Sequence, residues 1–252
     1  MTRKEAFDMT QANARRAALL CAALALPLEA GAQGFTGYEG DLRYRHFGES
    51  GDDVFSGRSA VEFGIAPGLS VQGDVIFGYL NAEVDRLDTS FQSFVLHGIV
   101  DSPQGAAFGA FAGREYALGD DRSTLGLEAA FDVGGSEMQP WVSRTFGGGR
   151  KATTFGLTAE SQMAAGFGLQ GSIITTDVES RGRSSDFRFG VTYNPRPDFP
   201  AELFATAGYI YASATPTRAG NGEASIGIGA RIGIGSEGGT TFGSRSIFEA
   251  IR

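Results

Sequence analysis

The chain has 252 residues, 42% of them hydrophobic, and a mean hydropathy of -0.09, which is enough apolar material for one substantial core or one membrane-facing surface. Its 21 Lys and Arg stand against 29 Asp and Glu, so no broad basic face is available for nucleic-acid phosphates and no nucleic-acid partner is expected. A single Cys excludes a disulfide scaffold and a cysteine-based zinc site, while 38 Gly with only 8 Pro and no G-X-Y period exclude collagen.

The chain begins with a leader pattern. Between Arg15-Arg16 and Pro27, residues 17 to 26 are uninterrupted small and apolar side chains, and Ala30-Gly31-Ala32 supplies the small residues of a cleavage site. This is the charged, apolar and small-residue order of a secretory signal peptide, spanning 1–32. Cleavage after Ala32 starts the mature chain at Gln33 and removes Cys21, so redox chemistry is not expected of the exported protein. Leu20 is too large for the residue a lipoprotein signal wants before its cysteine, and the flanks of Arg15-Arg16 lack the other features of twin-arginine export. Met9 is an alternative start, since Glu5 and Asp8 are unusual in such a leader. No later stretch approaches the ~20 consecutive apolar residues of a membrane helix.

From Thr36 onward the polarity alternates with period two, the pattern of strands with one apolar and one polar face. In the first segment Tyr38, Gly40, Leu42 and Tyr44 alternate with Glu39, Asp41, Arg43 and Arg45; a face on which every residue is charged requires water. The second sets Ser59, Val61, Phe63 and Ile65 against Arg58, Ala60, Glu62 and Gly64, and the third sets Leu69, Val71, Gly73, Val75 and Phe77 against Ser70, Gln72 and Asp74. Further segments fall near 92–101, 106–116, 123–133, 138–146, 153–163, 167–178, 185–194, 201–213 and 223–235. The segment at 138–146 has the poorest parity, because Pro140 and Arg144 interrupt it. Twelve strands are predicted, within a range of 10–14. Connections read as mostly tight at one end, including Pro67-Gly68 and 134–137, and as longer and more charged at the other, including 47–53, 80–90, 117–122 and 214–222. Nothing splits the chain into two domains.

A soluble β-sandwich alternates too, so three further features decide the reading. Segments of about 10 to 12 residues, tilted, span roughly 25 Å, the height of an outer-membrane apolar band. All seven Tyr (Tyr38, Tyr44, Tyr79, Tyr116, Tyr193, Tyr209 and Tyr211) and the one Trp, Trp141, fall near segment ends, as an aromatic girdle at both membrane interfaces requires. Charges persist in mid-segment on the polar face, and a sandwich has edges to protect that a closed barrel lacks. The mature chain, 33–235, therefore resembles a bacterial outer-membrane β-barrel of the small porin-like type: all-β, antiparallel and transmembrane. In 227–234 the positions of Gly229, Ile232 and Ile234 look like the assembly signal of such proteins, although Gly227 stands where a polar residue is preferred and the chain continues to Arg252. The segment 236–252 reads either as a periplasmic tail or, through 240–248, as a final strand.

The resemblance implies outer-membrane localisation, contact with outer-membrane lipid and lipopolysaccharide, and use of the barrel-assembly machinery. Candidate lumen residues are Glu39, Asp41, Arg43, Arg45, Arg58, Glu62, Asp74, Asp101, Glu128, Asp132, Glu160, Asp186, Arg188 and Arg231. Nine carboxylates against five arginines predict a mild preference for cations. The histidines are His46, at an outward rim position, and His97, in the lumen. Neither has the nearby serine or the Asp-x-His pairing of barrel-embedded hydrolases, so no catalytic residue, metal or cofactor is assigned. The acidic loop residues lack calcium-loop spacing. A passive pore for small hydrophilic solutes or ions is the first functional reading; a non-conducting structural or host-interaction barrel is the second, and an embedded lipid hydrolase the last.

Overall fold

The alternating segments form twelve antiparallel strands: β1 Gly34–Phe47, β2 Asp53–Ala66, β3 Leu69–Ala82, β4 Leu87–Asp101, β5 Ala107–Ala117, β6 Asp120–Val133, β7 Ser136–Gly147, β8 Arg150–Gln162, β9 Phe167–Val178, β10 Gly182–Tyr193, β11 Ala201–Ser213 and β12 Asn221–Gly235. The computed structural model describes residues 34–82, 87–117, 119–148, 150–179, 182–196, 199–213, 221–235 and 239–246. The predicted leader 1–32, with Cys21 and Ala32, lies outside the described residues. Each strand pairs with its sequence neighbours, and β1 pairs with β12 from Gly37↔Gly235 to Phe47↔Ser225, closing the barrel. Closure leaves no strand edge.

The polarity of this barrel is opposite to that of a soluble core. Along β6, Leu125, Leu127, Phe131 and Val133 are exposed, whereas Thr124, Glu128 and Ala130 are buried. Along β10, Phe187, Phe189, Val191 and Tyr193 point outward and Asp186 and Thr192 point inward. A belt of large apolar side chains around a closed wall, with charges inside, is stable where the surroundings are hydrocarbon and the inner groups are paired. Ring residues cross-link the belt: Tyr44, Phe55 and Tyr79 are direct cross-strand partners on three successive strands.

Many inward glycines stand opposite inward aromatics. Phe91 faces Gly78, Phe111 faces Gly126, Trp141 faces Gly156 and Phe204 faces Gly229 as direct cross-strand pairs. A Cβ on Gly156 would sit 2.1 Å from the Trp141 indole, and one on Gly126 would sit 2.2 Å from the Phe111 ring. The rings lie flat over the glycine of the next strand, which accounts for part of the glycine content. At the β6–β7 turn, Gly134 and Gly135 both have positive φ (60° and 84°), the requirement of a two-residue hairpin that follows strand twist.

Two expectations are corrected. First, the connections predicted to be longer at one end are in part as tight as the others: β5 ends at Ala117 and β6 begins at Asp120, and β7 ends at Gly147 and β8 begins at Arg150. The charged residues there continue the ladder. Arg114 pairs with Asp121, Arg144 with Glu179 and Arg183 with Asp177 on the outer face, where both sides of the strand are wet and charge no longer marks a loop. Second, 239–246 is neither a final strand nor an external tail. β12 already closes on β1, and these residues run inside the barrel.

Candidate functional site: the barrel interior

The interior is built from two unlike halves. On β8 to β12 and β1, charges form a ladder of pairs. Arg231 holds Glu160 through both terminal nitrogens (2.9 and 3.0 Å) and approaches Glu202 at 3.4 Å. Arg45 grips Asp186 with two hydrogen bonds of 3.0 Å and donates through Nε to the Ser225 hydroxyl, and Arg188 approaches the same carboxylate at 2.8 Å. Gly208 and Gly227 lie on the two strands between Arg45 and Asp186. Arg43 and Arg231 both lie over the Phe204 ring, at 5.4 and 6.0 Å.

On β2 to β7 the interior is packed with protein. Arg58 pairs with Glu39 and with Asp74 (Nε to Oδ2, 2.9 Å). His97 is fully buried, with Nδ1 2.6 Å from Glu128 and Nε2 3.7 Å from Asp74, and its ring lies against Phe111 and Phe242. Into this half run residues 239–246. The Thr241 amide donates to Glu62 (2.8 Å), the Phe242 carbonyl accepts from Arg58 (2.7 Å) and Gln72 (2.8 Å), and the Gly243 amide donates to Gln139 (3.0 Å). Arg245 donates through Nε to Glu128 (2.7 Å), and the Ser246 hydroxyl donates to Glu115 (2.8 Å). Phe242 packs with Ile99, Ala107 and Ala130. A carboxylate buried from water without such partners would be costly, so while the segment is seated its donors satisfy the acidic wall it covers.

Among the described residues, a cavity of about 880 Å³ is bounded by the charge ladder, by Gly239, Thr240 and 243–245, and at the tight-turn end by Asn194, Phe199 and Pro200. Its wall carries six arginines (Arg43, Arg45, Arg58, Arg188, Arg231 and Arg245) and five carboxylates (Glu39, Asp41, Glu137, Glu160 and Glu202). In the half nearer the loops, each strand contributes a buried inner-face residue: Phe47, Ser56, Ile76, Ser93, Glu115, Thr124, Thr145, Thr154, Thr176, Asp186, Ile210 and Glu223. Beside the cavity, residues 239–246 fill the β2–β7 side, from Phe242 near the tight turns to Ser246 at Glu115.

Of the predicted lumen residues, Glu39, Asp41, Arg43, Arg45, Arg58, Glu160, Arg188 and Arg231 meet at the cavity; Glu62 and Glu128 bond the inserted segment; Asp74 is buried behind Arg58; and Asp186 is buried beneath the two arginines. Asp101 and Asp132 are exposed at the tight-turn rim and line no part of the cavity. Of the tyrosines assigned to the girdle, six (Tyr44, Tyr79, Tyr116, Tyr193, Tyr209 and Tyr211) are exposed, and Tyr38 is half-buried on the same face as Leu42. Trp141 is corrected: it points inward, packed with Val95, Phe111 and Ile174 and lying 5.6 Å from the Arg245 guanidinium. The parity of β7 explains the error. Glu137, Gln139, Trp141, Ser143 and Thr145 face inward, while Pro140 and Arg144 belong to the outer face. That parity also hid Glu137 and Gln139. Glu202 was detectable from Leu203 and Ala205 beside it, whereas no periodicity announced Arg245 or Phe242. His46 lies at the outer rim, 2.9 Å from Asp53, which also accepts from the Tyr44 hydroxyl at 2.6 Å. Among the described residues no group of His, Cys, Asp or Glu is arranged to hold a metal ion.

The fold resembles that of solved proteins. The chain superimposes on the KdgM porin with a TM-score of 0.55 at 9% identity, covering 77% of this chain and 98% of that one. The fold is that of the porin-like outer-membrane barrels. The NanC porin gives a TM-score of 0.57 at 11% identity, over 77% of this chain and 98% of that one. An outer membrane channel from Pseudomonas putida F1 gives 0.60 at 10% identity, over 83% of this chain and all of that one. No protein-family model matches the sequence, and no curated protein does. At such identities the fold is what is shared.

Proposed function

We propose that this barrel is an outer-membrane channel for small hydrophilic solutes or ions, reached by export through cleavage of the leader at Ala32 and insertion by the barrel-assembly machinery. The observation that carries the reading is the cavity of about 880 Å³, walled by charges, inside a wall whose outer face is apolar. A scaffold without transport has no use for a hollow lined by ionised groups, since each group must be desolvated and paired. The porins and the channel named above share this fold and add to the support. In this conformation residues 239–246 occupy part of the barrel interior.

The second reading, a non-conducting structural or host-interaction barrel, draws on the same buried residues near the loops. Recording from the purified full chain in a planar bilayer separates the two. Discrete steps of current support the channel; a folded, inserted protein that never conducts, at any applied voltage, supports the structural barrel. On either reading the outer face meets lipid, and the paired charges of Arg114, Arg144 and Arg183 lie where lipopolysaccharide headgroups would be.

A further inference from the structure

The segment 239–246 makes no strand ladder with the barrel. Its polar contacts are grips of wall side chains on single backbone groups and the side-chain bonds of Arg245 and Ser246, and its one large apolar anchor is Phe242, seated where Gly109 carries no side chain. The other residues are small or polar, apart from Arg245. Detaching such a segment exposes little apolar surface, and the carboxylates and amides it leaves behind are readily hydrated. The strands gain nothing from it in pairing: β12 remains bonded to β1 and β11 over its length.

Charge adds a second argument. The cavity wall holds six arginines against five carboxylates. The acidic excess that the sequence assigns to the lumen lies under the segment, where Glu62, Glu115 and Glu128 accept from it and Asp74 is buried behind Arg58. Removing the segment takes away Arg245 and uncovers Glu62, Glu115 and Glu128, which reverses the sign of the wall and widens the bore.

We propose that residues 239–246 are a displaceable plug that sets both the bore and the ion preference of the channel, with Arg245 as its electrostatic latch on Glu128. The proposal rests on the channel reading for its electrical consequences and on geometry alone for the position of the plug. Two measurements keep these apart. Ser93 is fully buried on β4, a direct cross-strand partner of Glu115, which Ser246 grips. A chain from Gln33 has no other cysteine, so Ser93→Cys is a near-isosteric reporter. Its labelling by a charged, membrane-impermeant maleimide is compared in the full mature chain, in a chain ending at Gly235, and in a full-length Phe242→Ala, Arg245→Gln variant that retains every strand.

The plug predicts protection in the full chain and labelling in the two others. Equal labelling in all three, with the barrel folded, overturns it whether or not the protein conducts. In planar bilayers under a salt gradient, the shortened chain should pass larger currents than the full chain, with its reversal potential shifted toward the cation side. Unchanged current and unchanged reversal potential in a folded shortened chain overturn the assignment of bore and selectivity to the segment. If no form conducts while labelling still differs, the plug stands and the channel reading fails.

Discussion

Arg45 on β1 and Asp186 on β10 are joined by two hydrogen bonds of 3.0 Å across the two strands that separate them. Asp186 is fully buried, so the pair is a cross-brace inside the barrel and not a surface contact. Removing one partner leaves a buried charge unpaired. Asp186→Ala is expected to lower the unfolding free energy by about 3–5 kcal/mol, since Arg188 loses the same carboxylate. Combining Arg45→Met with Asp186→Leu should recover much of that loss. Urea unfolding of the refolded barrels in lipid measures both, and a double variant no better than the single would contradict the pairing.

The glycine-aromatic pairs make a packing prediction. Gly156→Val places methyl groups in the volume of the Trp141 indole and should destabilise by about 1–3 kcal/mol through overpacking. Trp141→Ala in the same chain should relieve that strain. If the two effects simply add in the unfolding midpoint, the rings are not seated on the glycines.

Face assignment predicts unequal tolerance of charge. Phe189→Arg puts a guanidinium on the outer face at a cost of about 2–4 kcal/mol near mid-membrane, and it should reduce the folded fraction recovered in the outer membrane. Arg188→Gln, one residue away on the inner face, should assemble normally. Comparable losses from both would refute the assignment.

Ion preference follows from which charges face the cavity. With six arginines against five carboxylates on its wall, the full chain should show weak selectivity that fades further as salt shortens the Debye length. A strong cation preference in the full chain would mean that the acidic wall beneath residues 239–246 is open to solution.

How far the sequence revealed this molecule depended on contrast between faces. In β1, with charged Glu39, Asp41, Arg43 and Arg45 opposite Tyr38, Leu42 and Tyr44, the strand, its inner face and its place in the charge ladder were all legible. In β7 the contrast was lost, because Trp141 turns inward among polar neighbours and Arg144 turns outward to Thr153 and Glu179. Near the loops water meets both faces, and strand ends such as Asp120 and Arg150 read as loop. The inserted segment was illegible for a different reason: its grips on Gln72, Gln139 and Glu128 join residues more than a hundred positions apart, and no local period encodes them.

The most direct test of the whole account is the environment of successive side chains along one strand in a lipid bilayer. Spin labels placed singly from 186 to 193 on β10 should alternate with period two: labels at Phe187, Phe189 and Val191 relaxed by oxygen dissolved in the lipid, and labels at Asp186, Arg188 and Thr192 shielded from it. A uniform response along the strand, or the opposite alternation, would contradict a membrane-spanning barrel with its charges inside.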